Sequence, residues 1–143
     1  MYRNPKEHFM ENKSKVFDCI VFGEIIYDIY NNTPQLGGAA LNYSWYLSQF
    51  DMKVLFISSV GQDDLGTKAL EKINSTQFIS SSITISDRKT GTAQIIGTTK
   101  DPEFIINEEV AWDKIKLPFN IKDYKTQSLY FGTLFVRKSL KIF

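Results

Sequence analysis

Cysteine is nearly absent from this sequence: Cys19 is the only one in 143 residues. That excludes an internal disulfide framework and a cysteine-built metal site. Histidine is equally scarce. His8 stands in the polar stretch "MYRNPKEHFMENKSK", far from Cys19 in the apolar run "CIVF". No thiol–imidazole pair is in view, so Cys19 reads as a buried strand residue and His8 as a solvated one. Long hydrophobic runs are missing too. The longest, such as Cys19 to Phe22 and Val54 to Ile57, are far too short to span a bilayer. The first fifteen residues lack the apolar core of a signal peptide, so a cytoplasmic protein is expected. Neither sign of charge dominates: 17 Lys and Arg face 16 Asp and Glu, a net of +1. With basic residues scattered, no nucleic-acid or membrane partner is expected. What is present is a chain 43% apolar and 14% aromatic. That composition supports a packed core, and the length suits one domain.

Residues 1–15 read as a polar tail and 16–143 as the domain. "FDCIVF" is continuously apolar, as a strand buried on both faces of a parallel sheet should be. Gly23 ends it, and "NNTPQLGG" (31–38) is turn chemistry. "AALNYSWYLSQF" (39–50) has helical spacing, with Ala40, Ser44 and Leu47 on one face. "KVLFISSVG" (53–61) predicts a second buried strand and "DDLGTKALEKINS" (63–75) a second helix, its two leading acids suited to the helix dipole. Strand, helix, strand, helix argues for an α/β sheet with right-handed crossovers. Three short alternating segments follow, at 81–87, 91–99 and 103–110, with turn-rich links. They predict antiparallel pairing in a flap or second layer. "SLYFGTLFV" (128–136) then predicts a third parallel strand.

The chemistry gathers around Gly37 and Gly38. Ligands of open α/β sheets sit beyond the carboxyl ends of strands and against helix starts. A glycine pair there exposes backbone N–H groups. Asn42, one turn into the helix, offers both donors and acceptors to a hydroxyl. Asp28 lies beyond the first strand and can accept two hydroxyl hydrogens. A plain turn with a surface asparagine remains the competing reading of the same residues. A dinucleotide site fails on spacing, since no G-x-G-x-x-G or G-x-x-x-x-G-K-[ST] occurs.

The stretch "GGAALNYSWYLSQFDMKVLFISSVG" (37–61) resembles the N-terminal signature of the ribokinase-type, or PfkB, carbohydrate kinases. Gly37, Gly38, Ala40, Asn42, Ser44 and Gly61 fit that pattern. Asp51 departs from it, standing where Gly or Ser is usual, at a helix end that wants a left-handed residue. "FGEIIYDIY", "GTAQI", "EEVAWDKI" and "LYFGTLFVR" resemble the fructokinase branch. The resemblance implies a ribokinase-like, Rossmann-type α/β fold with a mostly parallel sheet and a small β-sheet lid, formed by about 25–36 and 81–110. It implies a sugar substrate, ATP and Mg2+ as cofactors, and a homodimer clasped through the lids. It gives Asp28, Gly37, Gly38 and Asn42 as binders of sugar hydroxyls, with Gln94 and Arg137 near the same cleft. A surface strand amide and a solvated arginine are the plain readings of that last pair.

The family's catalytic segment, D-T-x-G-A-G-D, does not occur in these residues. The resemblance therefore implies the N-terminal part of a truncated sugar kinase, with no catalytic base, no nucleotide site and no activity alone. A non-catalytic module that binds sugar or pairs through its lid is the alternative.

Overall fold

The structure is a computed structural model. It describes residues 15–76, 79–98 and 100–139, with side chains at all of these except 79 and 137–139. His8 and the polar tail up to residue 14 lie outside them. In chain order the elements are β1 (Lys15–Phe22), β2 (Ile26–Tyr30), β3 (Thr33–Gly37), α1 (Ala39–Ser48), β4 (Val54–Gly61), α2 (Asp64–Asn74), β5 (Ile79–Ser86), β6 (Gly91–Thr98), β7 (Asp101–Ile106), β8 (Tyr124–Phe131) and α3 (Thr133–Ser139). Short 3-10 turns at Ala111–Lys114 and Ile121–Asp123 link β7 to β8.

The main sheet has the order β5-β4-β1-β8, parallel throughout. Its apolar runs divide by alternation, as successive strand residues must. Cys19, Val21, Val54 and Phe56 face α1 and α2, meeting Leu41, Ala69 and Ile73. Ile20, Phe22, Leu55 and Ile57 form the opposite face, against Ile115, Ile121 and Phe135. Every residue of β4 is buried, which is why its sequence shows no polar alternation. On α1 the buried positions are Ala40, Leu41, Ser44 and Ser48. Three are small, and the two hydroxyls satisfy themselves on the Ala40 and Trp45 carbonyls.

The second sheet is small and mixed, with order β3-β2-β6-β7. β2 and β3 form a hairpin whose two-residue turn, Asn31 and Asn32, takes φ of 47° and 60°. Positive φ at both positions is the turn that suits strand twist. β6 runs parallel to β2 and antiparallel to β7. Trp112 is fully buried beneath this sheet, with Ile26, Ala93 and Val110. The Tyr27 hydroxyl donates to the Leu65 carbonyl at 3.0 Å and ties the sheet to α2.

Four expectations need correction. The segment at 81–87 does not open an antiparallel trio: as β5 it runs parallel to β4, so the main sheet has four strands, not three, and the 81–110 group splits between the sheets. As an edge strand it is only partly covered along most of its length, with Ile85 exposed, so polar residues are tolerated there. "NNTPQLGG" is a turn only at Asn31 and Asn32; 33–37 is a strand paired with β2. The strand placed at 103–110 ends at Ile106. The strand placed at 128–136 is β8 at 124–131; beyond Gly132 the chain is helical.

Candidate functional site

β1 ends at Phe22, and the chain turns through Gly23 and Glu24 into β2. The hairpin returns along β3 to Gly37 and Gly38, where α1 begins. The same turn region meets the start of α3 after β8. Between these ends and the small sheet lies a cavity of about 380 Å³. It falls in the range of roughly 300–1,000 Å³ typical of small-molecule sites. Its polar lining is Glu24, Asp28, Gly38, Asn42 and Thr133, and its apolar wall includes Ala93, Phe104 and Ile106.

The two glycines have different reasons to be there. Gly38 has φ +112°, and a Cβ on it would lie 2.6 Å from the Glu24 carbonyl oxygen. The fold itself demands glycine at that position. Gly37 is not so constrained. A Cβ there would sit 3.5 Å from Asp28 Oδ2 and 3.9 Å from Asn42 Nδ2, ordinary contact distances. What glycine leaves open at Gly37 is the gap between a carboxylate acceptor and an amide donor. That gap can seat a group carrying hydroxyls.

Burial pushes the Asp28 carboxyl above its ordinary range, and no donor among the described residues offsets it. A half-buried carboxylate without protein donors gains from donors that arrive, and ligand hydroxyls are such donors. Glu24 is also raised by burial, while backbone hydrogen bonds from its own amide, Ala39 and Phe135 pull the other way.

Of the six predicted binders, the structure brings Asp28, Gly37, Gly38 and Asn42 together. It does not bring Gln94. Ala93 is the cross-strand partner of Asp28, and Gln94 that of Ile29. Directly paired residues share a face and neighbours alternate. Gln94 thus projects on the side of the small sheet away from Asp28, where its amide donates to the Ile29 carbonyl at 3.2 Å. Arg137 falls in α3, not at a strand end, and its side chain lies outside the described residues. Glu24, Thr133 and the apolar wall were missed as site residues. The only signal was a glutamate set in the apolar run "FGEII".

Two larger grooves lack this combination. One, of about 530 Å³, lies between β3, α1 and α2 and includes Trp45, Lys68 and Lys72. The other, of about 600 Å³, is lined by Ile20, Phe22, Leu129, Phe131 and Phe135 and has almost no polar group. The smaller cavity has the carboxylate, the amide and the open glycine backbone together.

A family model for pfkB family carbohydrate kinases matches residues 16–141. The chain belongs to that family. Its fold is also that of solved sugar kinases. An uncharacterized sugar kinase from Pyrococcus horikoshii superposes with TM-score 0.64 at 20% identity, over 82% of this chain and 45% of that one. The fructokinase of Halothermothrix orenii gives 0.65 at 22% identity, over 80% and 45%. A structure described as a putative ribokinase II from E. coli, with ATP and Mg2+, gives 0.66 at 22%, over 82% and 42%. At such identities the likeness concerns the fold. This pfkB family chain spans under half the length of these structures. No match appears among curated proteins.

The described residues present no assembled site for ATP or Mg2+. No cluster of three His, Cys, Asp or Glu side chains occurs among them. The starts of α1 and α2, where a phosphate would otherwise dock, already hold carboxylates. Asp63 caps α2 by accepting from Gly66 N–H at 2.8 Å, and Glu24 accepts from Ala39 N–H at α1.

Proposed function

We propose that this chain is the sugar-holding part of an ATP-dependent carbohydrate kinase whose substrate is fructose or a related sugar. The observation that carries the reading is the gap at Gly37, flanked by Asp28 and Asn42. Asp28 accepts hydroxyl hydrogens, Asn42 donates to and accepts from a neighbouring hydroxyl, and Gly37 admits the ring. The small sheet acts as a lid, with Phe104 and Ile106 as its apolar underside. ATP and Mg2+ would supply the phosphoryl group and its charge neutralisation in such a kinase. On this reading the chain binds sugar; we assign neither a nucleotide site nor a base for the acceptor hydroxyl among the described residues, and we expect no phosphorylation by the chain alone.

Calorimetric titration with fructose and ribose tests the reading. Fructose is expected to bind, and Asn42→Ala to weaken it about tenfold. Equal behaviour of Asn42→Ala and the native chain removes Asn42 from the site. No heat from either sugar with a folded sample rejects the sugar reading, and ATP-dependent phosphorylation by the purified chain rejects the inactivity.

A further inference from the structure

Glu24 is a carboxylate of this cavity that the hydroxyl-binding reading does not use. It is 1% exposed. The backbone N–H groups of Ala39, the first residue of α1, and of Phe135 in α3 lower its pKa against the effect of burial, and both its carboxyl oxygens lie against Gly132, just before α3. The N-cap of α1 is Gly38, which has no side chain with which to cap. Glu24 therefore does from another element what an N-cap residue does locally. The grip is two-sided, because the Glu24 carbonyl also packs against Gly38. Its Oε2 has no partner among the described residues, and it is held over Gly132, where any Cβ would overlap it.

We propose that Glu24 is a positioning residue of the sugar cavity, fixing α1 and α3 relative to the end of β1. The inference rests on the sugar reading above. Asn42 rides on α1, and Thr133 and Leu134 open α3 on the cavity wall. One carboxylate thus ties two walls together, four residues before Asp28 supplies the third. A buried carboxylate with one oxygen unsatisfied is an expensive way to gain stability. Its yield is geometric: loss of either amide contact frees a wall.

The test compares Glu24→Gln with Asp63→Ala, which removes the α2 cap and the bonds from Thr90 but touches neither helix that Glu24 holds. Fructose affinity is read by calorimetry, stability by thermal unfolding, and the Ala39 and Phe135 amides by their NMR signals. For Glu24→Gln, both amide signals shift together and affinity falls about tenfold in a folded protein. For Asp63→Ala, stability falls while affinity holds. Native-like affinity in Glu24→Gln, or unmoved amides, overturns the proposal. If the native chain binds no fructose, the sugar reading fails and this role with it. That case is told apart because the two amides still respond to Glu24→Gln.

Discussion

The sugar reading proposed above gives Asp28 a cost to bear when no hydroxyl is bound. Its folded pKa is raised by burial, so ionising it disfavours the folded state. As pH rises from the unfolded carboxylate value through the raised folded one, the native chain loses stability that an Asp28→Asn variant keeps. Asp28→Asn is therefore expected to unfold at a higher temperature than the native chain at neutral pH. The gap should close as pH falls through the folded pKa to below the unfolded one, since Asp28 is then protonated in both states. Glu24 titrates in both proteins and drops out of the difference. Fructose affinity should move the other way, at least about tenfold weaker in the variant, because a charged acceptor becomes a neutral amide. Paired melting curves across pH settle this. A variant less stable than the native chain at neutral pH would mean that Asp28 is held by the fold and not destabilised within it.

At the scale of elements, the end of α1 carries a local strain that the sequence announced. Asp51 has φ 57°, the left-handed conformation expected where glycine is usual. Asp51→Gly removes a steric cost of about 1 kcal/mol and returns part of it as unfolded-state entropy. The expected net gain is about 0.5 kcal/mol, a rise of roughly 2 °C in Tm; an unchanged or lower Tm counts against strain at this turn. What was legible in the sequence shared that local character. β1, α1, β4 and α2 follow from apolar runs, helical spacing and caps, and the cluster of Asp28, Gly37 and Asn42 from turn chemistry beside a helix start. What was not legible depends on partners distant in sequence. β5 has the alternation of a flap strand but pairs with β4. Its placement is fixed partly by Thr90 after its end, which donates to Asp63 through N–H at 2.8 Å and hydroxyl at 2.7 Å. The face that Gln94 presents was not legible because it is set by the register of β6 with β2, one residue from Ala93. Glu24 went unread because its donors lie on two helices, one of them more than a hundred residues away.

For the whole molecule, the more apolar open edge of the main sheet is β8. Among the described residues it pairs only with β1, and most of its residues are exposed. Leu129 is 54% exposed and Phe131 52%, beside the apolar groove formed with Phe22 and Phe135. On the sheet's other face Tyr130 stacks on Tyr43, with Tyr46 and Phe50 exposed beyond it. An edge with unpaired backbone groups and apolar surface on both sides is a template for association. The 143-residue chain by itself is expected to self-associate at micromolar concentration. Leu129→Lys places a charge on that edge without touching the cavity beside Asp28 and Asn42, and it should shift the chain toward monomer. Sedimentation velocity across a concentration series reads this directly, with fructose affinity as the control that the fold is intact. A native chain that stays monomeric at roughly 100 μM, within the range where exposed edges aggregate, would mean that the β8 edge is protected by the chain itself.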